Sequence, residues 1–308
     1  MYFPDLDSIR NNKHYNGNTL KFGITYDNAD YIVKFPKNTL DSSIFSEYVA
    51  SHFINNMGYS AHETYLKYHH DNTVVILKDF TDSSHKLRSF MDTEQTSEDT
   101  DITTKDYTYN DVLYLIEKHT KINSLDKINV IRDFWTMYVF DAILGNRDRH
   151  RGNWGYLTSP TGYRLAPIYD NGASLFPDVI NKLSEFKNDA YTFISDRIEK
   201  YPASLLTQYS SHRERNRRTN YYEVLGEYPK QYEDLAIVLE IFKEYPLSLI
   251  TNSIGLSVNN DLIPNALKLF YYEIILARYL HMVHRLPIAE AVGISIDYAH
   301  SHFNNSAE

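Results

Sequence analysis

Gly145-Asn146-Arg147-Asp148-Arg149-His150-Arg151-Gly152-Asn153 is the densest polar segment of the chain. Upstream of it, Ile128–Leu144 carries Ile131, Phe134, Trp135, Tyr138, Val139 and Ile143 and is apolar on most sides, which predicts a buried central helix ending at Gly145. Downstream, Trp154–Leu157 and Tyr163–Ile168 read as strands turned by Ser159-Pro160-Thr161-Gly162, and the second runs into Tyr169-Asp170. A loop held between two rigid elements presents its side chains to solvent and ligands. The order Asp148, Asn153, hairpin, Asp170 has a specific chemical use. Phosphoryl transfer needs a carboxylate to orient the attacking hydroxyl and take its proton. It also needs hard oxygen ligands for magnesium, and one carboxylate with one amide oxygen suits an ion that keeps most of its waters. Taken alone, Asp148 and Asn153 read equally well as loop caps.

Working outward, the first eighty residues read as strands with one helix. Thr19–Tyr26 and Tyr31–Phe35 are β-branched and aromatic, with Asp27-Asn28 as the turn between them. Ser42 or Ser43 caps a helix with Phe45, Val49, Phe53 and Met57 on one face and Gly58 just past its end. Thr73–Leu77 is a continuous apolar run, a buried strand, followed by the polar Lys78-Asp79. Lys34 falls on the second strand and Glu47 in the first turns of the helix. A Lys on an apolar strand is by itself more often a solvent-facing edge residue. Paired with a Glu on the following helix, it forms the ion pair with which kinases hold a phosphate-binding Lys. This ordered set, rather than any single pair, favours a functional reading.

After residue 80 the pattern turns helical. Asp92–Asp106, with Ile102 its only apolar residue, reads as an acidic surface loop without chemistry. Val112, Leu113, Leu115 and Ile116 mark a helix, and Gln231–Ile250 and Leu262–Arg285 are long amphipathic segments. The expected fold is α+β, with a strand-rich part over 1–80 and a mostly helical part over 81–308.

Composition removes several alternatives. The chain has 308 residues, and 31 Lys+Arg against 40 Asp+Glu give a net charge of −9, which disfavours broad nucleic-acid binding. There is no cysteine, hence no disulfide, thiolate zinc site or Cys nucleophile. None of the 11 glycines fits G-x-G-x-x-G, G-x-x-x-x-G-K-[ST] or G-x-S-x-G. His62-Glu63 opens like H-E-x-x-H, but Leu66 stands where the second His is needed. The first thirty residues hold no continuous apolar stretch, so neither a signal peptide nor a membrane span is expected.

With these residues in view, 144–176 together with Tyr31-Ile32-Val33-Lys34-Phe35-Pro36 and Phe45-Ser46-Glu47-Tyr48-Val49-Ala50 resembles the HipA family of bacterial Ser/Thr kinases, most of all its short CtkA-like members. The resemblance implies a bilobal protein-kinase-like fold that uses ATP and Mg²⁺. By it, Asp148 is the catalytic base, Asn153 and Asp170 hold Mg²⁺, and Lys34, positioned by Glu47, contacts the α/β-phosphates. Lys78-Asp79-Phe80 is then the hinge beside the adenine, and Asn11–Asn18 covers the phosphates, with Asn18 among the nucleotide contacts. His150 either orients Asp148 or a phosphate, or bonds the loop backbone. The implied partners are a protein Ser/Thr hydroxyl and a HipB-like antitoxin or repressor, with Ser8 a candidate for autophosphorylation. No direct nucleic-acid or membrane contact is expected, and a bacterial cytoplasmic location is, with export as the alternative that CtkA-like relatives raise. Asp148-Arg149-His150 with Asn153 also resembles phosphoinositide kinases, so a lipid or small-molecule acceptor is one rival reading. A non-catalytic, partner-binding module is the other.

The chain departs from the eukaryotic kinase pattern at two points. Asp170 is followed by Asn171-Gly172 rather than Phe-Gly, and the phosphate loop holds only Gly17. Arg147, Arg149 and Arg151 read as solvated loop residues. Asp133 and Asp141 read as buried and bonded to backbone, and the basic run His212–Arg218 as an exposed loop.

Overall fold

The computed structural model describes residues 1–15, 19–94, 107–123, 126–200, 209–211, 214–218 and 220–305. β1 (Lys21–Tyr26) and β2 (Ala29–Lys34) form a hairpin whose turn residues Asp27 and Asn28 both adopt positive φ, 50° and 59°. That backbone twist matches the twist of the strands it joins. α1 (Ser43–Asn56) follows, then β3 (Thr64–His69) and β4 (Asn72–Lys78), giving an antiparallel sheet in the order β1-β2-β4-β3. Alternation along β4 divides the apolar side chains between two faces. Val74 and Ile76 join Phe3, Leu6, Ile24, Tyr31 and Val33 in a small cluster on one side. Val75 and Leu77 join α1 and the main core on the other.

α1 begins differently from expectation. Ser42 donates its hydroxyl to the Pro177 carbonyl at 2.9 Å, and the Asp41 carboxylate instead accepts from the Ser43 N–H at 2.9 Å. The main core continues past residue 80: α1 packs on the helix over Leu247–Val258, and the Ser46 hydroxyl lies 3.2 Å from that of Tyr271.

The rest of the chain is mostly helical. β5 (Lys86–Ser89) and α2 (Phe90–Glu94) come first, so Asp92–Glu94 of the acidic stretch is helical; residues 95–106 lie outside the described residues. β6 (Tyr107–Thr108) leads into α3 (Tyr109–Lys118), and α4 (Lys127–Leu144) is the expected central helix. Gly145 ends α4 in the left-handed region, and a Cβ there would lie 3.3 Å from the Arg278 guanidinium, so glycine is required twice over. The hairpin is β7 (Gly155–Ser159) and β8 (Gly162–Leu165), with β5 on its other side. Its second strand ends earlier than predicted, because Pro167 follows and Ile168 instead bridges to Ala61 near the first sheet.

α5 (Leu183–Asn188), α6 (Ala190–Lys200), β9 (Tyr209–Ser211), β10 (Glu214–Arg218) and α7 (Tyr221–Glu227) precede the C-terminal helices. The segment read as one helix over Gln231–Ile250 is two, α8 (Glu233–Glu244) and α9 (Leu247–Val258). Pro246 starts the second and holds Tyr245 in an extended conformation. α10 (Asn265–Met282) is buried along its length, and α11 (Ile288–Asn305) packs against it. The architecture is a strand-rich N-terminal part and a helical remainder, the expected α+β arrangement.

Candidate active site

Lys34, the last residue of β2, points towards α1. Its Nζ lies 3.3 Å from Glu47 Oε2 and 3.3 Å from Asp170 Oδ1, so residues 136 positions apart meet at one ammonium. Burial opposes a charge on Lys34, but the two carboxylates outweigh it and hold the ammonium above its ordinary pKa. Glu47 is 2% exposed, and its second oxygen accepts the Asn171 N–H at 3.0 Å. Gly172 allows this approach, since a Cβ there would sit 3.2 Å from Glu47 Oε2. Asp170 takes φ +58°, which aims its half-exposed carboxylate at Lys34. Burial would raise its pKa, but Lys34 and Arg149 hold it below the carboxylate range.

The loop after α4 is built around Arg149. The guanidinium is 2% exposed and donates to both carboxylate oxygens of Asp141, at 2.9 and 3.0 Å. It also donates to the Asn153 carbonyl at 2.8 Å, the Tyr169 carbonyl at 2.5 Å and Asn171 Oδ1 at 2.7 Å. One side chain therefore fixes the backbone next to Asp148, at Asn153 and next to Asp170. This corrects the expectation that Arg149 is solvated and that Asp141 bonds only backbone. Asp133, expected buried, is exposed. Arg147 sits at the loop edge, 3.5 Å from Asp178.

Asn146 links the helix end to Asp148: its amide donates to Asp141 Oδ1 at 3.0 Å, and its Oδ1 accepts the Asp148 N–H at 3.0 Å. Asp148 is half-buried, and the Asn153 amide N–H donates to its carbonyl. Of the two readings of His150, the observed contact is with the loop backbone, Nδ1 accepting the Gly152 N–H at 3.0 Å. Asn153 is 2% exposed, and its Oδ1 has no hydrogen-bond partner among the described residues. An orphaned, buried amide oxygen on the loop that also carries Asp148, with Arg149 tying that loop to the Tyr169 carbonyl just before the Asp170 carboxylate, offers a carboxylate and an amide oxygen, the donor types that suit Mg²⁺.

The segment read as the hinge begins at Lys78, the last residue of β4. The Lys78 side chain pairs with Glu63 at 3.0 Å, its carbonyl lies 2.7 Å from His62 Nε2, and the Asp79 N–H donates to the Asp30 carbonyl at 2.8 Å. Phe80 packs against His62 and Tyr169. The Asp79 carboxylate receives the Tyr15 hydroxyl at 3.0 Å and Lys13 Nζ at 3.3 Å, and Lys13 also pairs with Asp30 at 2.8 Å. The strap 11–15 lies over Gly23, where a Cβ would stand 2.2 Å from Asn11 Oδ1 and 3.1 Å from the Tyr15 ring. Gly23 faces Ile32 across the hairpin, so the strap covers the sheet face that bears Lys34. A polar recess of about 420 Å³ opens beside it, lined by Lys13, Asp30, Asp79 and Phe80 among others. Gly17 and Asn18 lie outside the described residues, as do residues 212 and 213 of the basic run.

Asp141, Asn146, Arg149 and Asn171 were not singled out by sequence as parts of the site. One signal was available: Asp141 is a carboxylate in an otherwise apolar run, and a buried charge requires a partner.

The model of the HipA-like C-terminal domain matches residues 14–236. The chain belongs to the HipA-like C-terminal domain family. Within known proteins it is 29% identical over 299 residues to the serine/threonine-protein kinase CtkA of Helicobacter pylori, spanning 94% of this chain and 87% of that protein. The crystal structure of that proinflammatory kinase superposes with a TM-score of 0.72 at 29% identity, over 90% of this chain and 94% of the other. HipA of Shewanella oneidensis MR-1, from a toxin–antitoxin complex with HipB and operator DNA, gives a TM-score of 0.43 at 12% identity, over 96% of this chain and 67% of the other. No helix among the described residues is long and apolar enough to cross a membrane.

Proposed function

We propose that this family member is a serine/threonine protein kinase that uses ATP and Mg²⁺, with its N-terminal lobe over 1–80 and its C-terminal lobe over 81–308. The observation that carries the reading is the convergence of Glu47 and Asp170, each at 3.3 Å, on the half-buried Lys34 ammonium. Positioning and charge stabilisation are most of what a protein supplies to phosphoryl transfer, and this constellation supplies both.

Lys34 binds the α/β-phosphates and Glu47 keeps its ammonium in place. Asn153 Oδ1 and the Asp170 carboxylate would hold Mg²⁺, which would supply positive charge against the phosphates. Asp148 orients the Ser/Thr hydroxyl and takes its proton as the hydroxyl oxygen bonds to the γ-phosphorus and ADP leaves. Arg149 positions all three segments without touching the reacting atoms. The strap 11–15 covers the phosphates over the sheet face that bears Lys34, and Lys78-Asp79-Phe80 with the adjoining recess lies beside the adenine.

The acceptor on this reading is a protein hydroxyl, and Ser8, exposed in a short turn before β1, is a candidate within the chain. A HipB-like partner rests on kinship alone, and co-purification with such a protein tests it. Binding is checked by thermal shift with ATP–Mg²⁺. Ligand at 100 times its dissociation constant stabilises by about 2.7 kcal/mol, and no shift at millimolar nucleotide removes the reading. Labelled ATP offered with protein or with phosphoinositide vesicles separates the protein kinase from the lipid kinase.

A further inference from the structure

A second cluster of polar side chains lies on the far side of the first sheet, and the phosphoryl-transfer chemistry does not use it. Asp7, in a short turn before β1, directs Oδ2 at two imidazoles: His70 Nε2 at 2.5 Å and His69 Nε2 at 3.8 Å. Consecutive strand residues normally face opposite ways. Here His70 and Asp71 take φ of 44° and 58°, and this turn swings His70 beside His69, with ring centroids 4.1 Å apart. His69 is 6% exposed, walled by Phe22 and Phe35, and its Nε2 has no hydrogen-bond partner among the described residues. A buried imidazole nitrogen aimed at a carboxylate and a second imidazole is costly unless something accepts its lone pair.

We infer that Asp7, His69 and His70 form a binding site for a divalent transition-metal ion of the zinc class, which pins the N-terminal segment to the β3–β4 turn. The three donor atoms lie within 4.8 Å of one another. Zinc bound at about 2.0–2.2 Å by nitrogen and oxygen sets tetrahedral donors about 3.4 Å apart, a value inside the observed spread. His70, whose side chain is 69% exposed, has room to make the adjustment. Two imidazoles with a carboxylate select Zn²⁺, Co²⁺ or Ni²⁺ over Mg²⁺ and Ca²⁺, which prefer all-oxygen sites. Arg10 Nη2 holds the other Asp7 oxygen at 2.7 Å. That contact orients the ligand as outer-shell partners do, while its charge moderates the affinity. Burial lowers the pKa of His69 and so favours the neutral, ligating form. A metal here leaves at least one position for water.

The test uses the full chain stripped with EDTA and titrated with Zn²⁺ by calorimetry in excess Mg²⁺, and separately with Co²⁺ by visible absorption. One Zn²⁺ per chain is expected, with a Co²⁺ d–d band. His70→Ala, a change at an exposed position that leaves the fold intact, should weaken binding by at least about tenfold. Asp170→Asn should bind Zn²⁺ as the parent does. Absence of saturable Zn²⁺ binding by the parent chain would overturn the assignment, and so would equal binding by His70→Ala.

Discussion

Arg149 grips Asp141 through two parallel hydrogen bonds, Nε to Oδ2 at 2.9 Å and Nη2 to Oδ1 at 3.0 Å, and each residue is 2% exposed. The pair joins the last turns of α4 to the loop, and the remaining donors of the same guanidinium reach Asn153, Tyr169 and Asn171. Lysine has no planar fork and cannot reproduce this. Arg149→Lys should therefore lower stability by about 3–5 kcal/mol, the cost of breaking a buried pair, as measured by urea unfolding. In whatever fraction folds, the KM for nucleotide should rise, because Asn153 and Asp170 lose their common anchor. Stability equal to that of the parent chain would mean that the pair does not organise the loop.

Lys34 sits between two carboxylates, and the pH dependence of its removal has a definite sign. In the parent chain the pKa of Asp170 is depressed in the fold. Its contribution is therefore present above the ordinary carboxylate value of 3.8 and is lost as pH falls through the folded value. Lys34→Met removes the cation that Glu47 and Asp170 share, so the depression of the Asp170 pKa is largely lost. The destabilisation should be larger at pH 7 than at a pH well below 3.8, measured by chemical denaturation at each pH. A pH-independent difference would contradict the arrangement.

Glu273 lies on α10 with no exposure, and neither carboxylate oxygen has a hydrogen-bond partner among the described residues. Burial alone pushes its pKa up to about 7 from 4.5. A carboxyl raised in the fold carries no charge penalty while protonated. Its stability term is therefore whole below 4.5 and falls as pH rises to about 7. Glu273→Met should be more stable than the parent chain at pH 8 and should lose that advantage near pH 4, as followed by thermal melting.

Much of the first lobe was legible because its signals are local. β-Branched and aromatic composition placed Lys34 on a strand, and helical spacing placed Glu47 and Phe45, Val49 and Phe53 on α1. The break at Pro246 was equally legible by the rule for residues preceding proline, and amphipathic periodicity on both sides concealed it. Arg149 was not legible: an arginine in a polar loop looks solvated until the fold brings Asp141, Tyr169 and Asn171 around it. The contacts of Lys13 and Tyr15 with Asp79, more than 60 residues away, are likewise set by sheet pairing rather than local pattern.

The central claim is that Asp148 serves a nucleotide site assembled from both parts of the chain. Mass spectrometry of the purified chain and an acceptor protein, before and after incubation with ATP–Mg²⁺, tests it most directly. The account predicts the added mass of phosphate on a Ser or Thr, reduced about 10²–10⁴-fold in Asp148→Asn, while that variant still binds nucleotide. Equal phosphate incorporation by Asp148→Asn, or a parent chain that neither binds ATP nor gains phosphate, would contradict it.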